Sequence, residues 1–189
     1  MKIGVMTDGD SEVYGLPELY PQIRGLTRHV VLNPIKADIQ PDSSAALIAK
    51  KAARRMAQLR ANGARMLLLL IDREGRRECP GAWANAIHAK LNPLAQQAGF
   101  THCRVVVKDR MLENWLIADP AAFGALPKRF TRPVSITPGR ADNANADAVL
   151  RSAGDYQKPY GAREILRHAS VPTMRANSRS FERLIRRLA

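Results

Sequence analysis

Two groups of acidic residues sit where buried strands are expected to end. Asp8, Asp10 and Glu12 follow the first apolar run, in MKIGVMTDGDSE, and Asp72 and Glu74 follow the strongest one, in MLLLLIDREG. Carboxylates are hard oxygen donors suited to Mg²⁺ or Mn²⁺. Acids at the ends of two parallel strands can converge on one such cation. Asp72 and Glu74 are two positions apart, so an extended backbone would turn both to one side. They are expected to hold one metal, with Asp8 and Glu12 holding the same ion or a second one. Such a site would activate water and neutralise a phosphate, with one carboxylate orienting the water or taking its proton. Lys108 and Arg110 follow a later strand and are candidates to stabilise developing phosphate charge. The plainer alternatives are a capping role for Asp10 and Ser11, and a solvated DREG turn paired with Arg73, Arg76 and Arg77. Glu78 is an outer candidate ligand.

The charge balance bears on the substrate. Thirty Lys and Arg stand against seventeen Asp and Glu, a formal net charge of +13. Residues 151–189 hold nine of the basic residues and only three acids, so the excess grows towards the C-terminus. An acidic centre on a basic chain suits a polyanion such as DNA or RNA. Cys79 and Cys103 are too few and too far apart for a disulfide framework or a zinc site, and point to a reducing cytoplasm. His29, His88, His102 and His168 are scattered. TDGDSE is not a dinucleotide-binding glycine loop, and no GxxxxGK phosphate loop is present. The N-terminus reads as a strand, not a signal peptide, and the run at 66–71 is too short to span a membrane.

The elements that must position these residues alternate. Strands are expected at 2–7, 29–35, 66–71 and 103–107, with Pro34 marking an edge or an early end. Residues 12–28 contain Pro17 and Pro21 and read as loop and short helices. A helix capped by Asp42 or Ser43 should run to Gly63. Another helix is expected over 81–98, and a third in RMLENWLIAD, capped by Asp109 and limited by Pro120. This strand–helix alternation predicts an α/β fold with a mostly parallel sheet, whose ligands belong at the carboxyl ends of its strands. Residues 1–119 form the α/β core of a single domain. Residues 120–189 form an integral, loop-rich extension, basic and helical near 143–152, 160–168 and 178–188.

Four landmarks in order, TDGDSE, DREG, LENWLIADP and YQKPYGAREI with NSRSFERLIRRL, resemble the DUF4276 family, whose members look like compact relatives of the Toprim fold. The resemblance implies a Toprim-like sheet, Mg²⁺-dependent phosphoryl-transfer or nuclease chemistry, and kinship with bacterial phage-defence nucleases. It places metal ligands at Asp8, Glu12, Asp72 and Glu74, although the usual EG start is DG here and the usual DxD is DRE. Glu113, Trp115 and Asp119 match an E-x-W…AD segment. Glu113 is the functional candidate, facing the metal or a basic residue across a cleft. Trp115 is expected in the core, and Asp119 is expected to fix the following turn. Lys158 and Tyr160 lie in a family-like KPY segment. A separate ATPase partner is implied for a defence effector. The alternative is a catalytically degenerate module that binds nucleic acid or regulates a partner.

Overall fold

The computed structural model describes residues 1–189. Five strands form one parallel sheet: β1 (Lys2–Thr7), β2 (Val30–Val31), β3 (Ile35–Lys36), β4 (Met66–Asp72) and β5 (His102–Lys108). β1 lies between β4 and the short pair β2 and β3, and β5 is the far edge. The segment expected as one strand over 29–35 is thus two short edge strands, interrupted around Asn33 and Pro34. Pro34 has no N–H to offer a ladder there.

The apolar run of β4 is buried on both faces, and alternation sorts it. Met66, Leu68 and Leu70 join one apolar cluster with Ile3, Val5 and Val106. Leu67, Leu69 and Ile71 join the other with Val105 and Val107. Helices α2 (Ala45–Ala61) and α3 (Pro80–Gln97) cover the second face. Ser44, rather than Asp42 or Ser43, caps α2, accepting from the Leu47 N–H at 3.3 Å. Gly63 follows at φ 83°, the left-handed turn that ends the helix.

The first face is covered by α1 (Asp10–Ile23) and by helices of the C-terminal third. The loop expected over 12–28 is mostly one helix, despite Pro17 and Pro21 inside it. An interior proline costs about 3 kcal/mol. Burial of Leu16, Leu19, Tyr20 and Ile23 offsets that, at about 1.5–3 kcal/mol for each large side chain. Gly15 lets a neighbour approach closely: a Cβ there would lie 2.7 Å from Leu166 Cδ1. Tertiary packing therefore overrides the local signal.

After β5 come α4 (Leu112–Leu116), α5 (Ala121–Gly124), a 3-10 turn at Ala141–Asn143, α6 (Ala146–Ala153), α7 (Tyr160–His168), α8 (Val171–Asn177) and α9 (Arg179–Leu188). The helix expected through RMLENWLIAD is only α4. Asp109 does not cap it; its carboxylate pairs with Arg73 at 2.7 Å. α8 carries no apolar periodicity long enough to announce it. The first apolar cluster runs without a break from the sheet into these helices, through Trp115, Leu150, Ile165 and Phe181.

A buried polar knot closes the extension. Asp142 accepts from Ser178 Oγ at 2.8 Å and from Ser180 N and Oγ at 2.9 Å each. Ser180 Oγ in turn accepts from Trp115 Nε1 at 2.6 Å. Asp142→Asn places an amide N–H₂ against one of these donors. It is expected to cost about 2 kcal/mol, the penalty of one unsatisfied buried group, measured by urea unfolding. A change within a few tenths of that value from zero would show that the knot does not hold α9.

Candidate metal centre

Strand alternation aims the first carboxylates. Asp72 and Lys108 are register partners at the ends of β4 and β5. Asp72 continues the row Met66, Leu68, Leu70, and Lys108 continues Val106, so both turn to the face that α1 covers. Asp8 follows β1 directly. Gly9 then takes an extended backbone before α1, which puts Asp10 and Glu12 in the first helical turn. Acids are favoured there by the helix dipole. The chain leaves β1 towards β2 on one side and has β4 on the other, so Asp8 and Asp72 border the crevice where strand order reverses.

Asp8, Glu12 and Asp72 each offer a carboxylate oxygen, all within 4.8 Å of one another. Their side chains are 5%, 3% and 19% exposed, and that of Lys108 is fully buried among them. Lys108 Nζ lies 3.2 Å from Asp8 Oδ1 and 2.8 Å from Asp72 Oδ1, and it also donates to Glu12 Oε1. Asp8 Oδ2 accepts from the Asp72 N–H at 2.8 Å. When all four groups are ionised, three carboxylates against one ammonium leave a net −2.

Burial drives Asp72 well above the ordinary carboxylate range. Lys108 opposes this, and the Asp8 and Glu12 charges add to it. Burial also works against the Lys108 ammonium, but Asp72, Asp8 and Glu12 overcome it and hold its pKa well above 10.5. Asp72 and Lys108 thus both retain their protons more tightly than they would in water.

The donor set fits a hard divalent cation. Every available ligand atom is oxygen. Asp72 Oδ1 is buried, and the group facing it is the Lys108 ammonium at 2.8 Å. A Cβ at position 9 would sit 2.5 Å from Glu12 Oε2, so the glycine leaves room for that carboxylate.

The remaining candidates are distributed differently. Glu113 lines the same cleft of about 370 Å³ as Glu12 and Asp72 but is not one of the three converging carboxylates. It is buried, accepts from Tyr156 OH at 2.8 Å and pairs with Lys158 Nζ at 2.6 Å. Burial, then the Glu113 charge, raises the Tyr156 phenol far above its ordinary value. Tyr156 had no spacing signal; only its place two residues before Lys158 hinted at a shared site.

Glu74 stands outside the cluster. β4 ends at Asp72, and Glu74 has φ 51°, so the extended backbone expected to align the two acids is absent. Glu74 is exposed and borders a separate hollow with Asp42, Arg73 and Arg76. Lys108, expected to face phosphate, is instead enclosed by carboxylates. Arg110 is exposed at φ 74°. Asp10 does not cap α1 but pairs with Lys36 at 2.6 Å on the rim.

The short helix α4 divides its roles because adjacent residues diverge around a helix. Glu113 turns to the cleft. Asn114 Nδ2 donates to Ala141 O at 2.8 Å and Ala144 O at 3.0 Å. Trp115 is fully buried, edge-on to Phe181 at 5.2 Å. Asp119 accepts from Ser170 N at 2.7 Å and Ala121 N at 3.2 Å, which ties the following turn.

The family model described as "Domain of unknown function (DUF4276)" matches residues 17–189. The chain belongs to the DUF4276 family. The matched stretch contains Asp72, Lys108 and Glu113; Asp8 and Glu12 lie just before it. No curated protein and no solved structure matches the chain. In this DUF4276 chain no helix is long and apolar enough to cross a membrane.

Proposed function

We propose that the protein is a divalent-metal-dependent nuclease with a Toprim-like arrangement, acting on DNA or RNA in the bacterial cytoplasm as a phage-defence component. The convergence of Asp8, Glu12 and Asp72 carries this reading. These three carboxylates would hold Mg²⁺ or Mn²⁺. A bound cation would neutralise phosphate charge and make water nucleophilic near neutral pH. Lys108 keeps the carboxylates together by offsetting their repulsion. Lys158, half exposed, lines the same cleft and would hold the phosphate flank. Glu113 and Tyr156 position that ammonium. Only the Asp of the DRE triplet reaches the centre, so Glu74 would act from outside it. The separate ATPase partner belongs to the same proposal through the family resemblance.

One observation favours a second reading, a degenerate nucleic-acid-binding or regulatory module: the Lys108 ammonium already touches all three carboxylates. Mn²⁺ titration calorimetry and cleavage of labelled DNA and RNA, with Mg²⁺, Mn²⁺ or EDTA, separate the two. Wild type is expected to take up metal and cleave. Asp8→Asn and Glu12→Gln are expected to lose both, and Glu74→Ala to keep metal uptake. Binding of nucleic acid with neither uptake nor products would establish the second reading.

A further inference from the structure

α9 is amphipathic, and its basic row would ordinarily be a solvated outer face. Its placement differs from that. Arg179, Arg183 and Arg187 recur every four residues, and all three border a cleft of about 460 Å³ between α9, the N-terminal part of α3 and the outer edge of β5. Arg104 of β5, with Asn85 and His88 of α3, completes the polar lining. Steps of four residues along a helix advance roughly 6 Å, about the rise of two nucleotides on one strand.

These guanidinium groups lack the partners that neighbouring arginines have. Glu182 takes Arg175 at 2.5 Å and Arg186 at 2.7 Å. Arg104, Arg179, Arg183 and Arg187 pair with no carboxylate. Arg183 Nη1 is buried with no hydrogen-bond partner. Arg104 donates to the carbonyl of Arg187, which draws two like charges together. Burial first, then the Arg187 charge, depresses the Arg104 pKa. The one acid in the cleft, Asp109, is held by Arg73. A protein does not gather four uncompensated guanidinium groups around a cleft for stability; the arrangement lacks an anion with several oxygens.

We propose that this cleft binds the phosphodiester backbone of a nucleic acid and leads it to the carboxylate centre. Asp109, which lines the cleft, directly follows Lys108 in the chain, and it pairs at 2.7 Å with Arg73, which directly follows Asp72. From Arg104 to Lys108 the edge strand covers about 13 Å, roughly four nucleotides of rise. The proposal takes the class of polyanion from the function above, but it needs no metal and no cleavage. An extended acidic protein segment is the competing occupant. The cleft's length and its repeated, bidentate-capable donors favour phosphates.

The test is fluorescence anisotropy of a labelled oligonucleotide, single-stranded and duplex, in EDTA over a range of NaCl. The variants are R179Q/R183Q/R187Q, its Lys counterpart, and K50Q/R54Q/R55Q on α2, exposed side chains that do not line the cleft. The cleft triple is expected to weaken binding at least about tenfold and to flatten the log–log salt slope by about 2–3, near 0.7–0.9 per lost phosphate contact. The Lys triple should keep most of the slope, and the α2 triple nearly all of it. R179Q alone removes an exposed side chain and should flatten the slope by about 1, which keeps the test valid if the triple fails to fold. Equal losses from the cleft and α2 triples would mean diffuse attraction by net charge. An unchanged slope in the cleft triple, or displacement only by polyglutamate, would also overturn the proposal. Groove-dependent binding without metal uptake would leave the cleft standing and remove the metal reading. Metal uptake with an unchanged slope would do the reverse.

Discussion

Lys108→Met is expected to lower the stability of the metal-free protein by about 3–5 kcal/mol, the usual result of removing one partner from a buried ionic cluster. Lys108 Nζ touches Asp8, Glu12 and Asp72, and its side chain is wholly buried. Without it, three carboxylates within 4.8 Å of one another lose their only close counter-charge. Methionine preserves most of the volume, so the loss reports charge more than packing. Urea unfolding in EDTA measures it. Mg²⁺ should then restore more stability to the variant than to the wild type, because the cation takes over the same oxygens. A ligand at a hundred times its Kd contributes about 2.7 kcal/mol. An unchanged unfolding midpoint in EDTA would mean that Lys108 is not what holds the carboxylates together.

Asp72→Asn is expected to move stability and activity in opposite directions. Its carboxyl is raised well above 3.8, first by burial and further by Asp8 and Glu12, against the pull of Lys108. The folded protein therefore binds a proton here more tightly than the unfolded chain. Stability from this group is fully present below 3.8 and is lost as pH rises from there through the raised folded value. At neutral pH Asp72 therefore lowers stability relative to acid pH. Asparagine should remove that loss, stabilising the metal-free protein at neutral pH and flattening that limb of the stability–pH profile. Metal-dependent cleavage should fall by about 10³-fold, if the cation supplies roughly 4 kcal/mol of transition-state stabilisation. Thermal melts between pH 4 and pH 8 in EDTA, beside cleavage rates in Mg²⁺, check both halves. A variant that is less stable and equally active would remove Asp72 from the proposed centre.

These two effects share one origin. A site that collects like charge in a dry crevice is unstable until a counter-ion enters, and the fold supplies one counter-ion of its own. The basic cleft beyond β5 shows the same imbalance with the opposite sign. Carboxylates short of positive charge lie at the ends of β1 and β4, and guanidinium groups short of negative charge line the outer edge of β5. A metal ion and a polyanion would complete both.

The sequence alone determined what depends on local pattern. The apolar runs 2–7 and 66–71 specified buried strands, their length and flanking breaks specified a parallel α/β sheet, and the first residues after them, Asp8 and Asp72, followed. The helices after Ser44 and after Cys79 were legible from composition and stop signals. Tertiary structure decided the rest. Packing of Leu16, Leu19 and Ile23 kept α1 helical through two prolines whose local preference is to break it. Register opposite Asp72, which no single strand encodes, turned Lys108 inward to the carboxylates. A left-handed residue at Glu74 ended the extended backbone that would have aligned it with Asp72. The row of arginines on α9 reads in sequence as a solvated face. Only the docking of that helix beside β5 shows that it borders a cleft, because periodicity records which residues share a helix face and not what that face meets.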